Sequence, residues 1–302
     1  MSIFQLIRWK DLVLLVAAQL AIKYALLPAF SISTSLNTFS FFLLCLASAC
    51  IMAGGFIIDT IYNVRPKDFS NSKIAVKTMD ISEQTANILY IIFTSFGVCI
   101  GFYISHFVNR PPFFALFVIT AALLYVYATY LKQIAIVGSI TSAILVSTIL
   151  LIVGVFEIIP ATILSNKGTQ LTMLKVILDY SLFIFIIQFV RTTIKNCITL
   201  DSDYRLGFKT LPVLIGTSRT AKFAILLILL IIALVVYYVT VNLYMHVEII
   251  GYILVSVIGP LIYCIIKLIN AERTLHFIHI NRILKLVMAA GLASMLIYKF
   301  IF

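Results

Sequence analysis

Charge is what this sequence of 302 residues has least of: Asp, Glu, Lys and Arg make up 11% of it, against 63% hydrophobic residues. Soluble globular domains carry about a quarter charged residues, so a water-soluble fold is excluded. Carboxylates are scarcer still, 11 against 22 Lys and Arg. Five cysteines (Cys45, Cys50, Cys99, Cys197 and Cys264) show no paired spacing and lie mostly in apolar runs, which reads as small buried hydrophobes and excludes a disulfide framework or a zinc finger. Neither a phosphate-loop motif nor a Gly-x-Gly-x-x-Gly is present, so no nucleotide site of those kinds is expected. His276 and His279 sit three apart without a third ligand nearby and read as interfacial residues. No inverted repeat is visible, which ranks a transporter well behind other membrane functions.

What the sequence does have is apolar runs long enough to cross a bilayer, each needing about 20 residues. They fall at 12–30, 38–58, 86–107, 112–131, 134–156, 172–190, 221–243, 248–268 and 283–301. The expectation is an all-α, polytopic membrane bundle of about nine transmembrane helices, with 1–302 as one domain. The net charge of +11 would suggest nucleic acid in a soluble protein, but here topology explains it. With the N-terminus in the cytoplasm, only Arg110, Lys167, Lys175 and Lys299 of the 22 basic residues fall outside, and Lys23 lies within the first span. That asymmetry is the positive-inside rule. The protein is expected in the cell (inner) membrane, its N-terminus cytoplasmic and retained as a helix.

Several local signals refine this picture. Ser82 is placed to cap the third span, Pro111 and Pro112 to start the fourth, and helix five to begin near Gly138. Gly216 marks a turn after Pro212. Small residues from Ala47 to Gly55 predict close helix packing at the end of span two. Asp179 is a carboxylate within span six, and such residues default to a functional reading.

Two polar clusters stand out on the inner side. After span two, Asp59 and Asn63 are spaced i, i+4, with Lys67 continuing the stripe and Asp68 beside it. After span six, Asn196, Thr199 and Asp203 fall at i, i+3 and i+7, lining one face if the helix continues past Phe189. Arg191 and Lys195 form a cationic stripe near that face, with Arg205 and Lys209 following and Lys132 in an earlier inner loop. Two such clusters facing each other would suit a ligand with several oxygens and negative charge. A solvated basic loop, or an inherited scaffold of mutually bonded side chains, is the plainer alternative.

The chain resembles the UbiA family of intramembrane prenyltransferases. The resemblance is carried by the Arg-x-x-Asn-like start Arg8 to Asp11, the GFIIDTIYNV stretch from Gly55 to Val64, Tyr127 to Ser139, VGVFE at Val153 to Glu157, KTLPVLIG at Lys209 to Gly216, and the last helix around Lys285 to Gly291. It implies transfer of a prenyl chain from a prenyl diphosphate to an aromatic or other lipophilic acceptor among membrane lipids, with no nucleic-acid partner. In that family two aspartate-rich motifs bind magnesium and the donor diphosphate. By that correspondence Asp59, Asn63, Asn196, Thr199 and Asp203 are the catalytic positions, and Asp59 and Asp203 the metal-binding carboxylates. Lys67, Asp68, Arg191, Lys195, Arg205, Lys209 and Lys132 are the substrate-binding positions. Asp59 stands where the first motif has asparagine, Thr60, Asn63 and Lys67 where it has aspartate, and Asn196 and Thr199 replace aspartates of the second motif. Most of the magnesium donors are therefore replaced. The alternative is a non-catalytic relative that binds an isoprenoid or a membrane partner.

Overall fold

The computed structural model describes residues 3–64, 82–271 and 273–301, and all their side chains except those of residues 3, 63, 64, 300 and 301. Among these residues nine helices are long and apolar enough to cross a membrane. We label them α1 (Trp9–Ala29), α2 (Thr38–Val64), α3 (Glu83–Phe107), α4 (Phe114–Thr129), α5 (Val137–Glu157), α6 (Lys167–Ile198), α7 (Thr217–Asn242), α8 (Val247–Ile269) and α9 (Thr274–Ile301). The chain is a multi-pass integral membrane protein. Helix is the only open-chain way to satisfy every backbone N–H and C=O in hydrocarbon, and the described residues contain no strand beyond one isolated bridge.

Two helix starts follow directly from local chemistry. The Ser82 hydroxyl accepts from the Thr85 N–H and caps α3, as its position predicts. Pro111 and Pro112 open a single 3₁₀ turn that leads into α4. Hydropathy misplaces the helix ends, however. The apolar run predicts span six as 172–190, whereas α6 is 32 residues long, about 48 Å at 1.5 Å per residue. The hydrocarbon core is about 30 Å thick, so α6 extends past it into polar surroundings where hydropathy gives no signal. Two wide π-turns also escape sequence reading, Ile22–Leu26 within α1 and Leu254–Ile258 within α8. Each contains the residue four before a proline, Tyr24 before Pro28 and Ser256 before Pro260, whose carbonyl the proline ring would otherwise strike.

The chain forms two compact units. The first comprises the described residues of Met1–Leu20, Ser31–Leu131 and Thr148–Ile177. In it α2 and α3 touch at glycine: a Cβ on Gly97 would come within 2.9 Å of the Ala47 carbonyl oxygen and 2.7 Å of Ile51 Cγ1. Backbone cannot yield as a flexible side chain can. Gly97→Ala should therefore destabilise the protein by about 1–3 kcal/mol through overpacking, measured as a lowered unfolding midpoint, whereas the same change at Gly168, which has nothing within 4 Å, should not. Gln19, fully buried, ties three helices together by donating to the Ile149 carbonyl at 3.2 Å and accepting from Ser48 at 3.0 Å. At the other end of these helices, the Glu157 carbonyl accepts from the N–H and hydroxyl of Ser35, and its carboxyl from the Leu36 N–H.

The second unit comprises the described residues of Ala21–Phe30, Lys132–Ser147 and Leu178–Phe302. The Tyr180 and Ser294 hydroxyls lie 2.8 Å apart, joining α6 to α9, and Tyr252 donates to the Ala290 carbonyl at 2.9 Å. Gln188, Thr192 and Ser142 link α6 to α5 through their side chains. A short helix, Leu211–Ile215, ends at Gly216, whose φ of 85° turns the chain into α7. Cys45, Cys50, Cys197 and Cys264 are buried and unbridged, while Cys99 is exposed.

Candidate functional site

The first cluster is built at the end of α2. Asp59 is 6% exposed, and its Oδ2 accepts from Arg8 Nη2 at 2.6 Å. The Arg8 guanidinium also lies over the Phe56 ring, 5.1 Å from its centroid, an attractive placement for a planar cation. Burial works against the Arg8 charge, but the charge and hydrogen bond of Asp59, helped by Tyr127 and Asp11, hold its pKa above the ordinary value. The geometry depends on the segment before α1. Helix Ile3–Leu6 inserts Leu6, 1% exposed, among Ile57, Ile58, Ile61, Ala86 and Ala128, and Arg8 then reverses the chain at φ 48°. Thr60, the next motif position, turns its hydroxyl onto its own helix, donating to the Phe56 carbonyl at 2.8 Å. Asn63 lies one turn after Asp59 on the α2 backbone. Lys67 and Asp68 are outside the described residues.

The second cluster is built where α6 ends. The expected single helical face is interrupted, because α6 stops at Ile198 and Thr199, at φ −94° and ψ 10°, separates it from a short helix, Leu200–Arg205. Helix-type hydrogen bonds still run across the break, from Thr199 N–H to the Lys195 carbonyl and from Asp203 N–H to the Thr199 carbonyl. Thr199 and Asp203 thus remain together despite the kink. Asp203 is 8% exposed, and its Oδ2 accepts from the hydroxyls of both Thr199 and Thr210 at 3.1 Å.

Thr210 is brought there by the loop. Gly207 adopts φ 70°, the Phe208 N–H donates to the Asp203 carbonyl at 2.9 Å, and the Lys209 N–H donates to the Gln133 carbonyl at 2.9 Å. This pins the Lys209–Thr210 strand-like segment against Ile134. Burial pushes the Asp203 carboxyl above the ordinary carboxylate value, while the hydroxyls of Thr210 and Thr199 and the charges of Lys195 and Lys132 pull it back down.

The other sequence-predicted residues take different positions. Asn196 is half-buried on α6, and Lys195, Arg205 and Lys209 are exposed. Arg191, deeper along α6, donates to Gln188 Oε1 at 3.1 Å and approaches Met288 Sδ at 3.9 Å. His279 faces the Tyr263 ring and hydroxyl.

Sequence reasoning missed two partners. Arg8 and Thr210 appear in the resemblance only as parts of flanking motifs. Arg8 carried a usable signal: with the N-terminus inside, it and Asp59 fall at the same membrane face, and a buried carboxylate there needs a cation. Thr210 carried none, since its approach depends on the turn at Gly207.

A divalent metal finds a poor donor set in the described residues. No group of three or more His, Cys, Asp and Glu side chains is arranged to hold one. Asp59 is engaged by Arg8, Thr60 by its own helix, and Asp203 shares its Oδ2 between two threonines. Neutral Asn and Thr oxygens do not supply the charge that offsets dehydration of magnesium. Among the described residues the carboxylates at the motif positions are Asp59 and Asp203.

Comparison with known proteins places this geometry in context. The chain is 25% identical over 198 residues to a digeranylgeranylglyceryl phosphate synthase from Methanoculleus marisnigri, over 66% of this chain; it spans 65% of that relative's length. A solved structure described under the biosynthesis of digeranylgeranylglyceryl phosphate synthase in membranes is similar at a TM-score of 0.66 and 17% identity, covering 99% of this chain and 98% of that one. A UbiA homologue from Archaeoglobus fulgidus, bound to DMAPP and Mg2+, superposes at a TM-score of 0.61 and 18% identity, covering 98% and 99%. At these identities the two structures establish a shared fold. The model of the UbiA prenyltransferase family matches residues 14–276, and this chain belongs to that family.

Proposed function

We propose that the protein is an intramembrane prenyltransferase that takes its chain from a prenyl diphosphate, passes it to a lipophilic acceptor, and holds the diphosphate with its own cations rather than with magnesium. The observation that carries this reading is the Asp203 cluster, a carboxylate fixed by two threonines with Lys195 and Lys132 acting on it. The charges of Lys195 and Lys132 act on that carboxylate, and charge-assisted contacts of such ammonium groups to phosphate oxygens are about twice as strong as neutral ones. Lys67, Arg191, Arg205 and Lys209 are the further cations assigned to this role. The assignment of Asp59, Asn63, Asn196, Thr199 and Asp203 to donor binding rests on family membership and on their motif positions.

In the proposed reaction the allylic C–O bond breaks and the diphosphate departs with the electron pair. An aromatic or other nucleophilic acceptor then bonds to the allylic carbon and gives up a proton. The protein's cations stabilise the departing anion. The competing reading, a non-catalytic relative that binds an isoprenoid, is favoured by the same loss of metal donors. Incubation with labelled prenyl diphosphate and membrane lipid extract distinguishes them: label transferred to lipid supports the enzyme, and label retained only as intact diphosphate supports the binding protein.

The asymmetry of basic residues further predicts a cytoplasmic N-terminus and an external C-terminus in the cell membrane. Reporter fusions at the two ends should give opposite signals, and equal signals would overturn that orientation.

A further inference from the structure

The geometry points to Arg8 as the resident cation of the first cluster, a positioning residue that occupies the Asp59 carboxylate and thereby excludes a divalent ion from it. Three independent features converge on this. The Arg8 Nη2 to Asp59 Oδ2 separation is 2.6 Å, and Asp59 is buried. A divalent ion bound to that same oxygen at about 2.1 Å would stand less than about 5 Å from the guanidinium nitrogen, like charge against like charge. Next, the Phe56 face backs the guanidinium, so the cation has a seat as well as a counterion. Last, Arg8 keeps a left-handed backbone that L side chains rarely adopt, held by buried Leu6 on one side and on the other by the Asp11 N–H, which donates to the Arg8 carbonyl at 2.8 Å. Strained backbone persists where its surroundings over-determine it.

The role follows from these contacts. Asp59 carries a charge whose partner is supplied by the same chain, so that carboxylate is matched without an ion from solution. The inference rests on reading this cluster as a donor-end site, but its test requires no donor.

Manganese serves as the probe, its binding to the full-length protein in detergent followed by the loss of the free-ion paramagnetic signal. Wild type should bind Mn2+ weakly, and Arg8→Gln should bind it at least tenfold more tightly, an increase that Asp59→Asn added to Arg8→Gln removes. Arg8→Lys, which keeps a charge beside Asp59, should stay close to wild type. Equal Mn2+ affinity in wild type and Arg8→Gln overturns the inference, as does tight wild-type binding that Asp59→Asn abolishes. Where Arg8→Gln does not fold, Mn2+ binding by the wild type that Asp59→Asn leaves unchanged supports the inference, and binding that Asp59→Asn weakens overturns it. Failure of the protein to bind prenyl diphosphate would count against the proposed function and leave the manganese result standing.

Discussion

Replacing Asn63, Lys67, Asn196 and Thr199 together by aspartate should give a protein that binds a prenyl diphosphate only when magnesium is present. The four changes take away one positive charge and add four negative ones at the motif positions. Without metal, such a site repels a diphosphate. With metal, hard anionic oxygens become available in the number magnesium needs. Made singly, each change supplies only one of the added anionic groups, so the magnesium effect is expected only in combination. The complementary variant, Lys67→Ala in the otherwise native chain, should weaken donor binding by about 1.5–3 kcal/mol, the range for a hydrogen bond to a charged group. Binding isotherms of labelled donor with added magnesium and with chelator read both results, and a quadruple variant with no magnesium response contradicts the assignment of these positions.

The second large effect is expected at Asp203. Asp203→Leu removes the acceptor of two hydroxyls, and Thr210, only 2% exposed, has no route to water. An unsatisfied buried donor costs about 1–3 kcal/mol. The loss should appear both in the unfolding midpoint and in proteolysis of the 206–216 loop that Thr210 ties down. Asp203→Asn keeps a side-chain oxygen for both threonines and should be tolerated by the fold.

The pH dependence separates charge from hydrogen bonding. The folded carboxyl of Asp203 titrates above its ordinary value, so its contribution to stability is complete at pH below the ordinary carboxylate value and falls as pH rises through the raised folded value. Asn does not titrate. The stability of Asp203→Asn relative to wild type should therefore increase between acid and neutral pH, and a difference that shrinks on the same path would show that the carboxylate is favoured by its surroundings.

Much of the fold was legible in the sequence because the bilayer imposes a simple rule, that apolar runs of sufficient length become helices. Ser82, Pro111 and Gly216 marked boundaries correctly, since each acts on the backbone within a few residues. Continuation of α6 past Phe189 was considered from the spacing of Asn196, Thr199 and Asp203, but its break at Thr199 was not legible, because helix beyond the hydrocarbon is decided by tertiary contacts. The π-turns in α1 and α8 were not legible either, since a proline such as Pro28 or Pro260 disturbs a helix without fixing the form the disturbance takes.

The candidate site divides the same way. Asp59 and Asp203 stood out as carboxylates near apolar spans, and both are buried. Their partners did not, as Arg8 lies 51 residues from Asp59 and reaches it through a reversed backbone, while Thr210 reaches Asp203 through a loop pinned to Gln133. Long-range pairing of this kind leaves no periodicity for sequence analysis to detect.

The proposed donor site holds the diphosphate with the protein's own cations and not with magnesium. Its most direct test is the equilibrium binding of labelled prenyl diphosphate to the purified protein before and after exhaustive chelation of divalent ions. The account predicts the same dissociation constant in both conditions; a dissociation constant that rises tenfold or more on chelation and is restored by magnesium would contradict it.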